Sequence, residues 1–441
     1  MMTKPTAAVV RYEKPAASVR KAVELSHGLD HLPGDAHVFI KPNIVFWTKA
    51  VAFPKWGVIT TSRVVEDVVL LLKDRGVRDI TIGEGMVTLN PKDRETPAHA
   101  FETLGYGKLA QRYGVKVVNV FERPFEKVDL GDDVTLNFNT DILRADFVVD
   151  LPVMKTHNQT KLSLGIKNLK GVIDIESRKK CHNAEPGRDL HYMVARLPLK
   201  LPPAFSLLDG IYTNERGPSF DGRIRRSNVL VASADILSAD MVGARILGYE
   251  PSDVPHLVHA AKNSGRPLDL SNVEVVGERV EDLASFHEYD MPYVEHNTLR
   301  RSLARMGVKG LSYPKYDLSM CTYCSALNGF VLAAIARAWK GRPFDGVEVL
   351  TGKAMKPTPG MKKTILLGKC MCDANKDHPH IREAIMVKGC PPPAKAIVRA
   401  LHQAGIRVDP AIFENLDLAP GFFMSRYEGK PEYDEDFFRI S

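Results

Sequence analysis

The sequence predicts an α/β protein with a mainly parallel sheet covered by helices, and a second, smaller α/β domain carrying the cysteines. Three observations predict it. Short aliphatic runs alternate with helical stretches through the first half, polar residues recur where those runs end, and five of the six cysteines fall in the last third. Such alternation points to parallel strands joined by crossover helices, with a ligand crevice outside the strands' carboxyl ends.

Taken in order, Ala36-His-Val-Phe-Ile reads as the first buried strand. Thr61 to Arg75, apolar at Val64, Val65, Val68, Val69 and Leu72, has the spacing of a helix, and Val77-Arg-Asp-Ile-Thr-Ile that of the next strand. A helix is expected over His99 to Tyr113, then strands at Val115 to Val120 and Asp146 to Leu151. Ala204-Phe-Ser-Leu-Leu is another strand, ending in Asp209-Gly210, where the acid either orients a base or begins a turn. The pattern weakens between Leu270 and Pro314, with a helix expected at Asn297 to Met306, so the domain boundary is placed near residue 310. Residues 1–310 form the larger domain on this reading, and residues 311–441 the cysteine-bearing one.

In that second domain, Asn328 to Trp339 reads as a helix, Thr364-Ile-Leu-Leu and Ala384-Ile-Met-Val as strands, and Ala394 to Ala404 as a helix started by the prolines after Cys390. From Glu414 onward, aromatic residues stand among acids. They are expected to dock the tail on its own protein, with a partner subunit, and so a homo-oligomer, left open.

The cysteines are spaced as Cys321-Thr-Tyr-Cys324, Cys370-Met-Cys372 and Cys390-Pro-Pro, each group at a strand's carboxyl end or a helix amino terminus. Free N–H groups and the helix dipole favour anionic sulfur there. We read an iron–sulfur cluster of [4Fe-4S] type, held by Cys321, Cys324, Cys370 and Cys390. Cys370 is preferred because it ends a strand directly, while Cys372 lies further into the loop. Zinc and unligated redox thiols are the alternatives, but zinc ribbons pair their cysteines within a short module, and here a βα unit separates the groups. Disulfides fit worst in a chain read as cytoplasmic, having no apolar signal segment.

A chain of 441 residues that is 44% hydrophobic buries a large core. No apolar stretch is long enough to span a bilayer. The formal charge of +7, without basic repeats or an aromatic-interleaved stripe, suits a small anion or an acidic partner protein rather than nucleic acid.

Polar groups gather at the predicted strand ends: Lys41-Pro-Asn43, Gly83-Glu84-Gly85, Lys155-Thr156-His157, then Lys167-Asn168-Leu-Lys170. Cations, amides and a hydroxyl in so little chain suit a carboxylate or phosphate. The bland alternative leaves the lysines on a solvated face and His157 capping a turn. Gly83-x-Gly85 lacks the remaining glycine spacing of a dinucleotide fingerprint. The loop Cys181-His182 to Asp189-Leu-His191 adds imidazoles able to ligate a metal or move protons.

These motifs, Lys41-Pro-Asn43, Leu151-Pro-x-x-Lys-Thr-His157, Lys167-Asn-Leu-Lys-Gly171, Asp189-Leu-His191, Asp209-Gly210, Gly217-Pro218, and Ala234-Asp235 leading into Ala239-Asp240, together resemble the domain of unknown function 362 family over residues 36 to 265. The resemblance implies iron–sulfur cysteines in many members, commonly in ferredoxin-type modules. This chain departs with dispersed cysteines and a Gly-Cys-Pro-Pro turn, and the family name carries no reaction.

The expected function is an iron–sulfur enzyme, an oxidoreductase acting on a small anionic substrate at the domain interface. Lys41, Thr156, Lys155, Lys167 and Lys170 bind the anion, Asn43 and Asn168 orient it, and His157 or His191 moves a proton, with Lys155 also counted as catalytic. An electron-transfer or assembly partner for a redox protein is the first alternative. A cluster-dependent lyase or dehydratase, or a non-redox isomerase, is the second.

Overall fold

A computed structural model describes residues 4–88, 90 and 92–441. The fold is α/β, and the chain divides into two compact units. The larger takes residues 1–177, 191–290 and 420–441, and the smaller residues 178–190 and 291–419. Two segments thus pack away from their sequence neighbours, residues 178–190 with the cysteine-bearing unit and the tail with the larger one.

The larger unit is built on a ten-stranded sheet. Its centre is parallel, running Ala204–Glu215, Phe147–Leu151, His37–Pro42, Asp79–Glu84, Lys116–Asn119. These strands are aliphatic almost throughout because helices cover both faces. Ser62–Asp74 is one such helix, burying Val64, Val65, Val68, Val69, Leu71 and Leu72. Asp209 lies within the long strand Ala204–Glu215, and its carboxylate accepts from the Thr61 N–H (2.7 Å) and the Ile211 N–H (3.1 Å). The acid expected at a strand end is thus in mid-strand, and it holds the start of that helix. Thr6–Arg11 adds antiparallel to Arg223–Ser233 and pairs in parallel with Glu274–Gly277 on its other side, an extension the local pattern did not suggest.

The single helix expected over His99 to Tyr113 is two, Glu95–Thr103 and Tyr106–Tyr113. Gly105 breaks it with φ of 78°, a left-handed conformation glycine tolerates, and a Cβ there would lie 2.5 Å from Ile440. Ile440 belongs to the tail, whose Tyr427 and Phe438 are also buried in this unit. Trp56 packs edge-on against Tyr433 and Phe438, and Tyr433 donates to the Ile224 carbonyl (2.8 Å).

The smaller unit is an all-parallel sheet of four strands in the order Leu311–Ser312, Val347–Leu350, Lys363–Leu367, Glu383–Val387. Thr322–Ala338 and Ala394–Gln403 pack on it through Leu327, Val331, Ile335, Ile397 and Leu401. The helix expected near residues 297–306 is the short Arg301–Arg305. No helix among the described residues is long and apolar enough to cross a membrane.

Candidate functional site

In the smaller unit, the cysteines stand at the carboxyl edge of the parallel sheet, where open α/β sheets bind ligands. Cys321 is the N-cap residue of Thr322–Ala338 and Cys324 lies in its first turn. Cys370 follows the strand Lys363–Leu367 across Gly368, at the start of the helix Lys369–Asn375. Cys390 follows Glu383–Val387. The backbone at Gly368 passes so close to the Cys324 Sγ that a Cβ would sit 3.2 Å from it, and its φ of 99° also demands glycine.

The four sulfurs act on one another. The neighbouring Cys324 thiol pulls the Cys321 thiol below its ordinary range, helped by the N–H groups of Tyr323 and Cys324 and by the Lys353 charge. The same pairing pushes Cys324 up, reinforced by burial and by the charge of neighbouring sulfurs, that of Cys321 first. Cys390 is raised chiefly by burial, and Lys179 pulls the other way. Such a group gives up its first proton readily and the later ones at rising cost, unless a cation takes the protons' place. Cys372 points elsewhere, into a small core with Leu350, Leu366 and Met371, and its sulfur donates to the Leu366 carbonyl (3.3 Å).

The segment at 178–190 supplies this edge with cations. Lys353, just beyond the strand Val347–Leu350, donates to the carbonyls of Lys179 (2.8 Å) and His182 (2.5 Å), which fixes the loop. Lys179 lies 5.6 Å from the Tyr323 ring and bears on Cys390. The His182 Nδ1 lies 2.9 Å from the Leu318 carbonyl, and Cys181 is buried. Sequence order hid Lys179 and Lys353, because neither adjoins a cysteine. Among the described residues, no three His, Cys, Asp or Glu side chains close round a point that would seat a single metal ion.

In the larger unit, most of the residues expected at the strand ends form a closed, fully buried network. Lys41 donates to Glu84 (2.8 Å), the Pro42 carbonyl (2.5 Å) and Asn168 (3.2 Å). Lys155 donates to Asn43 (2.5 Å) and the Val58 carbonyl (2.8 Å), while Asn43 donates to Asn168 (2.9 Å) and Asn168 to Asp150 (2.8 Å). Glu84 also accepts from the N–H groups of Ile44 and Gly85. Burial lowers the Lys155 pKa to about 7 and raises that of Asp150 to about 7. Asp240 joins from the helix Ile236–Ile246, accepting from the N–H groups of Gly165 (2.7 Å) and Ile166 (2.9 Å). It thereby seats the short helix Gly165–Asn168 that bears Lys167 and Asn168.

The remaining expected residues divide. The His157 Nδ1 accepts from the N–H groups of Gln159 (3.1 Å) and Thr160 (3.3 Å), which caps a turn. Thr156 donates to the Glu288 carbonyl (3.1 Å). Lys170 is buried, and Lys167 is half-buried near His256. His191 stacks on His256, a residue the sequence did not bring forward.

With this geometry in view, the family comparison takes in the larger unit's network. Residues 38–245 match the family described as Domain of unknown function (DUF362). The DUF362 match therefore holds Lys41, Asn43, Lys155, Asn168 and Asp240, and leaves all the cysteines except Cys181 outside it. The chain is also similar to the thylakoid-associated protein sll1697 of Synechocystis sp., 28% identical over 244 residues that span 54% of this chain and 72% of that protein. Among solved structures, the lactate racemase apoprotein from Thermoanaerobacterium thermosaccharolyticum gives a TM-score of 0.34 at 14% identity, over 56% of this chain and 57% of its own. That likeness is remote.

Proposed function

We propose that this protein holds one iron–sulfur cluster, of [4Fe-4S] type, on Cys321, Cys324, Cys370 and Cys390, and works as an oxidoreductase on a small anionic substrate. The observation that carries this reading is the meeting of four mutually interacting thiols at the carboxyl edge of the smaller sheet. A cluster's cysteines ligate different irons, and thiols drawn from three separate strand and helix ends suit that.

The protein's own groups favour such a cofactor. Lys179, Lys353 and the amino terminus of Thr322–Ala338 offset the charge of four thiolates, and Gly368 leaves room for the Cys324 sulfur. When bound, a cluster of this kind supplies one-electron transfer. In the larger unit, Lys167 and Lys170 are the cations this reading assigns to the anion, and His191 the group it assigns to proton movement. A second reading, an electron-transfer partner of another protein, is favoured by the way Lys41 and Lys155 commit their donors to internal acceptors.

Cysteine substitution tests the ligand set. Cys321→Ser, Cys324→Ser, Cys370→Ser and Cys390→Ser should each lower bound iron in anaerobically prepared protein, while Cys372→Ser and Cys181→Ser keep it. Iron lost from Cys372→Ser and retained by Cys370→Ser would overturn the assignment.

A further inference from the structure

The chain's formal charge of +7 is unevenly shared. Residues 178–190 and 291–419, the smaller unit, hold 23 lysines and arginines against 12 aspartates and glutamates, a net +11. The rest of the chain holds 37 against 41, a net −4. The cysteine-bearing unit therefore draws acidic surfaces toward itself, over a distance that salt shortens.

Part of that charge rims the cysteine edge at the surface. Cys370 and Cys390 are both exposed. The Lys369 N–H donates to the Gly389 carbonyl (3.0 Å) and the Gly368 N–H to the Val387 carbonyl (2.9 Å), which lays Lys388-Gly389-Cys390 alongside Gly368-Lys369-Cys370. Lys395 stands in the first turn of Ala394–Gln403, the helix that follows Cys390. Lys180 comes to the same edge because Lys353 holds the Lys179 and His182 carbonyls on either side of it. Lys180, Lys388 and Lys395 are exposed, and among the described residues none of the three has an ion-pair partner. Of the acids nearby, Asp373 pairs with Lys369 (2.5 Å), Glu185 with Arg188 (3.7 Å), and Asp317 accepts from the Ser319 N–H (2.8 Å). Lys179 and Lys353 bear on the sulfurs themselves, whereas the outer three lysines reach solvent.

We propose that the exposed face around Cys370 and Cys390, rimmed by Lys180, Lys388 and Lys395, docks a small acidic electron-transfer protein. The proposal rests on the reading that these cysteines hold a cluster, and it states the kind of partner with which that cluster exchanges electrons. A carrier must bring its own redox centre close to the cluster, and such encounters use small interfaces steered by charge at their rims. Nucleic acid answers to the same charge but brings no redox centre.

Titration of the full chain at low salt with two acidic carriers as probes, a flavodoxin and a plant-type ferredoxin, tests this. Basic cytochrome c and a duplex DNA oligonucleotide are the comparisons. At least one acidic carrier should bind at micromolar concentration, and its affinity should fall about tenfold or more as salt rises from about 0.01 M to about 0.15 M. Lys388→Glu combined with Lys395→Glu should weaken binding by about tenfold or more at low salt. Arg305→Glu combined with Lys309→Glu makes the same change in net charge at the other end of Thr322–Ala338, where the Met306 carbonyl accepts from the Trp339 Nε1–H (3.0 Å). That pair should cost less than about threefold. Should the first double variant lose iron, Lys180→Glu serves instead, and it should weaken binding in the same sense. No binding of either carrier, equal losses from the two double variants, or cytochrome c bound as tightly as the acidic carriers would overturn the proposal. DNA bound more tightly than either carrier, with its loss confined to the Lys388 and Lys395 variant, would overturn it in favour of nucleic acid. Iron measured on the same samples separates the two readings. Docking absent with iron intact tells against this face alone, and iron absent with docking intact tells against the cluster alone.

Discussion

Asp240→Ala tests how the larger unit's polar centre is held. The wild-type carboxylate is fully buried and accepts from two backbone amides, those of Gly165 and Ile166. Its removal leaves both N–H groups without that acceptor, at about 1–3 kcal/mol each, so about 2–6 kcal/mol in all. An offset acts against this loss. Burial raises the Asp240 pKa well above 3.8, so the wild type is stabilised at low pH and loses that contribution as pH rises. The Ala variant lacks the titration, and its deficit should therefore be larger in acid than in alkali. Because two units need not unfold together, hydrogen exchange at residues 165–168 is a better assay than global denaturation. Exchange there should quicken by about thirtyfold to beyond ten-thousandfold, given tenfold per 1.4 kcal/mol. Asp240→Asn keeps one acceptor oxygen and should fall between. An Ala deficit below about 1 kcal/mol, or one that grows with pH, would refute the reasoning.

Other predictions concern the same unit. Asp150, raised by burial from 3.8 to about 7, contributes stability that is present below 3.8 and lost as pH rises through about 7. Lys155, lowered from 10.5 to about 7, acts above that window, with stability recovered as pH rises toward 10.5. Asp150→Asn should flatten the acid-side fall in urea titrations run from pH 4 to 7, and an unchanged slope would count against a titrating Asp150. Truncation before Pro420 removes buried Tyr427, Phe438 and Ile440, an upper loss of about 5–9 kcal/mol, and uncovers Trp56. Its fluorescence should shift to the red, and an unshifted spectrum with unchanged stability would mean that the tail contributes nothing.

The strands His37–Pro42, Asp79–Glu84 and Phe147–Leu151 were legible because parallel strands covered on both faces read as unbroken aliphatic runs. Lys155 shows where that reading stops. Every residue of Val153–His157 is buried, so a lysine there is covered whichever face it takes, and nothing local tells what covers it. The cysteine groups were legible as strand-end and helix-start features because those boundaries are set by nearby residues. Lys179 was not, since its place beside Cys390 depends on residues 178–190 packing in the smaller unit. His256 had a local signal, two histidines three apart on a helix, but its stack on His191 is a long-range contact with no spacing to announce it.

Cys321, Cys324, Cys370 and Cys390 are proposed to hold one iron–sulfur cluster together. Iron and acid-labile sulfide analysis of anaerobically prepared protein, with electron paramagnetic resonance of the reduced sample, tests it most directly. Iron and sulfide are expected in near-equal amounts, with visible absorption bleached by reductant and a paramagnetic signal on reduction. Stoichiometric zinc without sulfide, or metal-free protein with reactive thiols after anaerobic reconstitution with iron and sulfide, would contradict it.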